Sequence, residues 1–153
     1  MISAGETAPD FTLPRDGGGS VTLSALRPGK AVLYFYPRDN TPGCTLEAQD
    51  FSALAAEFTA AGTTVIGISK DSVKSHDSFC RKHGLSVILA SDEGGSTCED
   101  YGVWGEKSLY GRLFLGITRA TFLIDGAGRV ARVWPKVKVK GHAAEVLAAA
   151  QAL

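Results

Sequence analysis

Cys44 follows the run Val32-Leu33-Tyr34-Phe35-Tyr36-Pro37-Arg38-Asp39-Asn40-Thr41-Pro42-Gly43, an apolar segment that stops at a proline and gives way to a polar turn. Two cues put this cysteine at the mouth of a helix. Thr41 is a favourable N-cap residue, and Pro42 suits the first helical position. Cys44 then falls in the first turn, where backbone N–H groups lack carbonyl partners and the helix dipole is positive. Both features favour the thiolate, and the thiolate is the nucleophile. Gly43 lets another group approach the backbone closely. The Thr41 hydroxyl lies one turn back, within reach of the sulfur or of a small bound substrate. A cysteine that only packs as a small apolar residue has no use for this Pro-Gly lead-in or for the polar Arg38-Asp39-Asn40 loop. The reading is a reactive cysteine.

The 153 residues suit one domain (residues 1–153), and 44% apolar with 21% charged residues is a globular composition. Sixteen basic residues balance sixteen acidic ones, which gives no argument for nucleic acid or for an anionic membrane surface. The N-terminus Met1-Ile2-Ser3-Ala4-Gly5-Glu6 lacks the basic and apolar regions of a signal peptide. No apolar stretch approaches the ~18 residues of a membrane span. Three cysteines, Cys44, Cys80 and Cys98, are too few and too odd for a disulfide framework. They fit a reducing, cytoplasmic setting. With no Cys-x-x-Cys, and only His83 placed near Cys80, no metal site is expected, and no organic cofactor either.

The elements around the cysteine follow from periodicity. Segments 10–13 and 21–23 alternate around Asp16-Gly17-Gly18-Gly19-Ser20 and predict an N-terminal β-hairpin. Residues 31–36 read as a central strand covered on both faces. Leu46, Phe51, Leu54, Ala55 and Phe58 recur at helical spacing from Pro42 to about Ala61. Strands are expected at 64–69 and 86–90, helices from Asp71 or Ser72 to His83, at 92–101 and at 142–153, and a hairpin over 120–134. Strands alternating with helices predict an α/β layer with a parallel pair and antiparallel edges. The order matches a thioredoxin-like fold, a mixed central sheet flanked by helices.

Pro37-x-x-x-Thr41-x-x-Cys44 resembles the PxxxTxxC signature of the peroxiredoxins, thiol peroxidases of thioredoxin-like fold. The longer string from Phe35 to Ala48 is similar to the peroxiredoxin Q, or bacterioferritin comigratory protein, subfamily. Ala8-Pro9-Asp10-Phe11-Thr12-Leu13, Gly67-Ile68-Ser69 with Asp71-Ser72, Tyr101-Gly102-Val103-Trp104 and Gly116-Ile117-x-Arg119-x-Thr121-Phe122-Leu123-Ile124 extend the likeness along nearly the whole chain. The resemblance implies that Cys44 is the peroxidatic cysteine, that Thr41 hydrogen-bonds the bound peroxide and sulfur, and that Pro37 shields the site from water. Arg119, on residue type an ordinary surface arginine, would hold the thiolate and polarise the peroxide. Glu47 would orient that arginine, or else stand as a solvated helix carboxylate.

The resemblance also implies a second step. Attack on the peroxide leaves a sulfenic acid, which a resolving cysteine converts to a disulfide. Some subfamily members carry that cysteine five residues on, where this chain has Gln49. Others carry it in the next helix, where this chain has Cys80. Two intact helices would hold the sulfurs apart, since a disulfide needs Cα atoms within ~7 Å, so local unwinding is expected. Cys98 matches no functional position and reads as a bystander, with resolution of Cys44 as its minority role. The implied partners are a hydroperoxide substrate and thioredoxin or a similar dithiol donor, acting on a monomer. A Cys-x-x-Cys oxidoreductase fits poorly, because Thr41 and Glu47 occupy the positions three before and three after Cys44. A redox sensor or holdase role stays open beside catalysis. Lys136, Lys138 and Lys140 read as one charged face of a strand, His76 and His83 as solvent-facing, Trp104 and Trp134 as packing residues, and His142 as the start of the last helix.

Overall fold

Alternation along one strand explains the whole layering. In β3 (Lys30–Phe35) and the residue after it, Ala31, Leu33 and Phe35 face one side of the sheet, and Val32, Tyr34 and Tyr36 face the other. All six are almost wholly buried. The computed structural model describes residues 1–153. Two pairs of elements flank this strand in sequence. The hairpin β1 (Thr12–Pro14) and β2 (Ser20–Thr22) comes before it. The helices α1 (Pro42–Ala53) and α2 (Ala55–Ala60) come after. The chain continues through β4 (Thr63–Ser69), α3 (Val73–His83), β5 (Ile88–Ser91) and α4 (Thr97–Asp100). A ribbon of β6 (Trp104–Leu109) and β7 (Arg112–Ile117) follows, then β8 (Ala120–Ile124), β9 (Val130–Trp134) and α5 (His142–Ala152).

The central sheet has five strands in the order β5-β4-β3-β8-β9. β3 pairs in parallel with β4 and antiparallel with β8, so the sheet is mixed, as expected. One face is covered by α1, α2, α3 and α5 through Phe51, Phe58, Phe79 and Val146. The other is covered by the hairpin, α4 and the start of the ribbon through Leu13, Val21, Tyr101 and Ile117. No helix is long and apolar enough to cross a membrane.

Several boundaries differ from the sequence reading. The helix expected from Pro42 to about Ala61 breaks at Leu54, whose N–H turns back to the Phe51 carbonyl in a tight 3.2 Å bond. The helix expected at 92–101 shrinks to α4, because Asp92 is buried outside it and accepts the Thr97 and Cys98 N–H groups. Residues 136–140 form no strand. Pro135 ends β9, having no N–H for the ladder. The ribbon β6–β7 was not anticipated at all. It projects from the body with Leu109, Tyr110, Leu113 and Leu115 exposed.

Candidate active site

The chain leaves β3 at Tyr36 and must turn sharply to enter α1. Asn40 supplies the turn in the left-handed region, with φ 63°, a conformation that asparagine tolerates better than most residues. Thr41 occupies the N-cap position and Pro42 begins the helix, which puts Cys44 in the first turn as predicted. The Thr41 side chain does not cap. Its hydroxyl donates to the Arg38 carbonyl at 3.0 Å, which leaves its oxygen lone pairs free to accept. Pro37 lies exposed at the strand end, beside Trp104, Phe114 and Ile117 of the ribbon.

Arg119 reaches Cys44 from the link between β7 and β8. Its Nη2 donates to Cys44 Sγ at 3.2 Å, and its Nη1 to Glu47 Oε1 at 2.6 Å. The reading of Arg119 as a surface residue does not hold: its side chain is 19% exposed, and Cys44 and Glu47 are each 1% exposed. Glu47 is therefore no solvated helix carboxylate. It comes one turn after Cys44, on the same face of α1, and fixes the far side of the guanidinium. Burial pushes the Glu47 carboxyl up to about 7, against the pull of Arg119, and its Oε2 has no partner. Burial works against the Arg119 charge too, but Glu47 and Cys44 outweigh it and hold the guanidinium protonated. Gly43 makes this approach possible. A Cβ at that position would sit 3.3 Å from Arg119 Nη2.

Cys80 is in a different environment. It lies half-buried on α3, and its thiol points to Asp16 Oδ2 of the N-terminal hairpin turn at 3.7 Å. Asp16 is itself fixed, accepting the Leu89 N–H of β5, and Asp77 accepts the Gly17 N–H alongside. Burial first, and the Asp16 carboxylate next, push the Cys80 thiol up to about 12. All three cysteines are free. The two thiols sit on different helices, α1 and α3, and each faces its own partner, Arg119 for Cys44 and Asp16 for Cys80. Cys98 is wholly buried beneath Tyr101, with its thiol raised by burial and by Asp92.

The expectation for His76 is overturned. It is wholly buried, with Nδ1 2.8 Å from Asp39 Oδ2 and Nε2 3.1 Å from the Ala90 carbonyl. The α3 periodicity places His76 on the inward face with Phe79, not on the solvent side. His83 is half-buried against Phe79. His142 does begin α5, buried and bonded to Thr121 Oγ1 at 2.8 Å. Trp134 packs in the core as expected, with its Nε1 donating to Glu145. Asp39 and His76 are the pair that sequence reasoning missed. The available signal was the four-residue spacing from His76 to Cys80, which puts both on one side of a helix.

A buried cysteine held by a guanidinium at a helix N-terminus, on a thioredoxin-like sheet, defines a thiol-based redox enzyme. Residues 4–133 match the AhpC/TSA family, and the chain belongs to that family, within its peroxiredoxin Q group of thiol peroxidases. A bcp peroxiredoxin of Coxiella burnetii is 51% identical over 95% of this chain and 97% of its own. Peroxiredoxin Bcp of Bacillus subtilis is 44% identical over 95% and 93%. Among solved structures, a mutant of Xylella fastidiosa PrxQ superposes with a TM-score of 0.93 at 42% identity, covering 99% of this chain and 97% of that one.

Proposed function

We propose that this peroxidase reduces hydrogen peroxide and organic hydroperoxides with Cys44 as the nucleophile, in a two-cysteine cycle completed by Cys80. The observation that carries the reading is the Arg119 guanidinium, bonded at once to Cys44 Sγ and to buried Glu47. The Cys44 thiolate attacks one peroxide oxygen and the O–O bond breaks. Cys44 becomes a sulfenic acid, and the other oxygen leaves as water or alcohol after taking a proton. Negative charge grows on the departing oxygen in that step. A fixed guanidinium with first-turn N–H groups stabilises it without reorganising. The Thr41 oxygen accepts from the peroxide O–H, and Pro37 limits water at the mouth of the site.

Cys80 then attacks the Cys44 sulfenic sulfur. A disulfide forms and water leaves. With Cys44 Sγ held by Arg119 on α1 and Cys80 Sγ turned to Asp16 on α3, the disulfide forms after α1, and the Cys80 end of α3, unwind locally. A solved Xanthomonas campestris bacterioferritin comigratory protein, 48% identical over 93% of this chain and 90% of its own with a TM-score of 0.88, is described by its alkyl peroxide reduction activity. Two further Xanthomonas campestris peroxiredoxin Q structures each replace one cysteine by serine, at positions 36 apart, and Cys44 and Cys80 have the same separation. Both support the reading. Thioredoxin or a similar dithiol returns the disulfide to two thiols, and the enzyme works as a cytoplasmic monomer.

The test is one equivalent of hydrogen peroxide added to reduced protein, followed by non-reducing peptide mass spectrometry. A Cys44–Cys80 linkage is expected. An unmodified Cys44 would remove it as nucleophile, and a stable Cys44 sulfenic or sulfinic acid would make the enzyme depend on an outside thiol. Cys80→Ser is expected to consume about one equivalent of peroxide and then stall with thioredoxin as donor.

A further inference from the structure

We propose that the buried Asp39–His76 pair is a positioning clamp that joins the peroxide-binding loop to the Cys80 helix and decides whether oxidised Cys44 goes on to the disulfide or to sulfinic acid. The proposal rests on the two-cysteine reading above.

Asp39 sits in the middle of the Pro37–Thr41 loop, and its carboxylate is held from two elements at once. Tyr36 Oη donates to Oδ1 at 2.6 Å from the end of the central strand. Ser75 Oγ and His76 Nδ1 both reach Oδ2 at 2.8 Å from the first turns of α3. The Asp39 N–H in turn donates to Asp71 Oδ2 at 2.9 Å, just before that helix. The two side chains of the central pair are 0% and 2% exposed. His76 Nε2 faces the Ala90 carbonyl, which can only accept, and Nδ1 faces a carboxylate, which also accepts. Both ring nitrogens thus face acceptors, and the ring is held against a carboxylate out of water. Burial raises the Asp39 carboxyl, but its bonds from His76 and Tyr36 outweigh that and hold it below the usual range. A charge-assisted pair of this kind is worth more than a neutral hydrogen bond, and losing one partner strands the other.

The placement gives the pair its consequence. On one side, Asp39 lies two residues before Thr41 and five before Cys44. On the other, His76 lies one turn before Cys80 on the same helix. Disulfide formation needs α1 and part of α3 to open, and sulfenic acid waiting in the closed state is exposed to a second peroxide. If opening is a rapid prior equilibrium, disulfide formation scales with the open fraction. A second peroxide meets Cys44 correctly only in the closed state, where Arg119 and Thr41 are in place. Whatever holds the loop against α3 therefore favours sulfinic acid over disulfide, and whatever loosens it does the reverse.

Reduced wild-type protein, Asp39→Asn and Ser75→Ala are oxidised with hydrogen peroxide from one to one hundred equivalents. The ratio of Cys44–Cys80 disulfide to Cys44 sulfinic acid is then read by mass spectrometry. Asp39→Asn is expected to shift the ratio toward disulfide by about tenfold, the scale of one lost charge-assisted hydrogen bond. Ser75→Ala, which removes one donor and spares the His76 contact, is expected to shift it the same way by about threefold. Amide exchange in residues 37–48 should quicken in the same order. A role in global stability alone would lower the melting temperature and leave the ratio where it was. Unchanged ratios in both variants, or in Ser75→Ala alone if Asp39→Asn does not fold, overturn the clamp. A wild-type protein that forms no Cys44–Cys80 linkage overturns the two-cysteine reading instead, and the clamp with it.

Discussion

Cys44 and Cys80 are the same residue placed in opposite fields. Cys44 faces a guanidinium and the first turn of a helix. Cys80 faces the Asp16 carboxylate, with Asp77 close by. The first arrangement sets a cation and N–H donors around the sulfur. The second holds a thiol, pushed up to about 12 by burial and Asp16. The two-step cycle proposed above would use this difference. The cysteine proposed to meet peroxide attacks as a thiolate. The one proposed to follow would stay quiet until its partner has been oxidised and the helices have moved. Exposure alone does not separate them, since Cys44 is the more deeply buried of the two; the charge beside each sulfur differs in sign.

The comparison can be broken most severely at its active end. Cys44→Ser should lower peroxide consumption by more than about a thousandfold in a stopped-flow assay, since an alcohol at neutral pH is a far weaker nucleophile. Arg119→Ala should cost roughly a hundredfold in the second-order rate with peroxide, the scale of losing one charge-stabilising donor. If it costs less than about threefold, the guanidinium is not what distinguishes the two thiols. At the quiet end, Asp16→Asn should lower the Cys80 thiol from about 12 toward its ordinary 9.0, without reaching it because burial remains. Alkylation of Cys80 by iodoacetamide at alkaline pH should then rise several-fold, with Cys44 unaffected.

The smallest effect on turnover belongs to His142, which touches neither thiol but feels the Arg119 charge. Burial, helped by Arg119 and Arg132, lowers it from 6.5 to about 4, so it is neutral when folded. A depressed histidine stabilises the fold above its unfolded value, and that contribution is lost as pH falls through the folded one. Wild-type stability should therefore decline between about 6.5 and about 4 relative to His142→Gln, by no more than roughly 3 kcal/mol. Urea melts across that range would show it.

What was readable in the sequence divides along the same lines. Cys44, Thr41 and Pro42 are neighbours in the chain, so capping rules placed the cysteine in its first turn correctly. The strands β3, β4 and β8 were legible because a buried strand has a continuous apolar signature. Arg119 and Glu47 carry no local mark of their roles, and only the family resemblance pointed to them. Their contact spans 72 residues and depends on β3 pairing with β8. Asp39 and His76 were missed for the same reason, since a buried ion pair looks polar in sequence and polar residues are read as exposed. The β6–β7 ribbon was missed because β6 is mostly polar between Trp104 and Leu109 and the Leu113-Phe114-Leu115 run of β7 stays exposed, so neither strand carries the signature of a half-buried strand.

The 75-residue gap between Cys44 and Arg119 has a consequence during synthesis. A growing chain emerges from the ribosome with Cys44, the proposed nucleophile, long before Arg119. Through the addition of β4, α3, β5 and the ribbon, the thiol lacks the Arg119 guanidinium. The pairing of β8 against β3 is what brings the two together, so full reactivity arrives only when the central sheet is complete. On the proposed mechanism, an unfinished copy would therefore react with peroxide more slowly than a finished one.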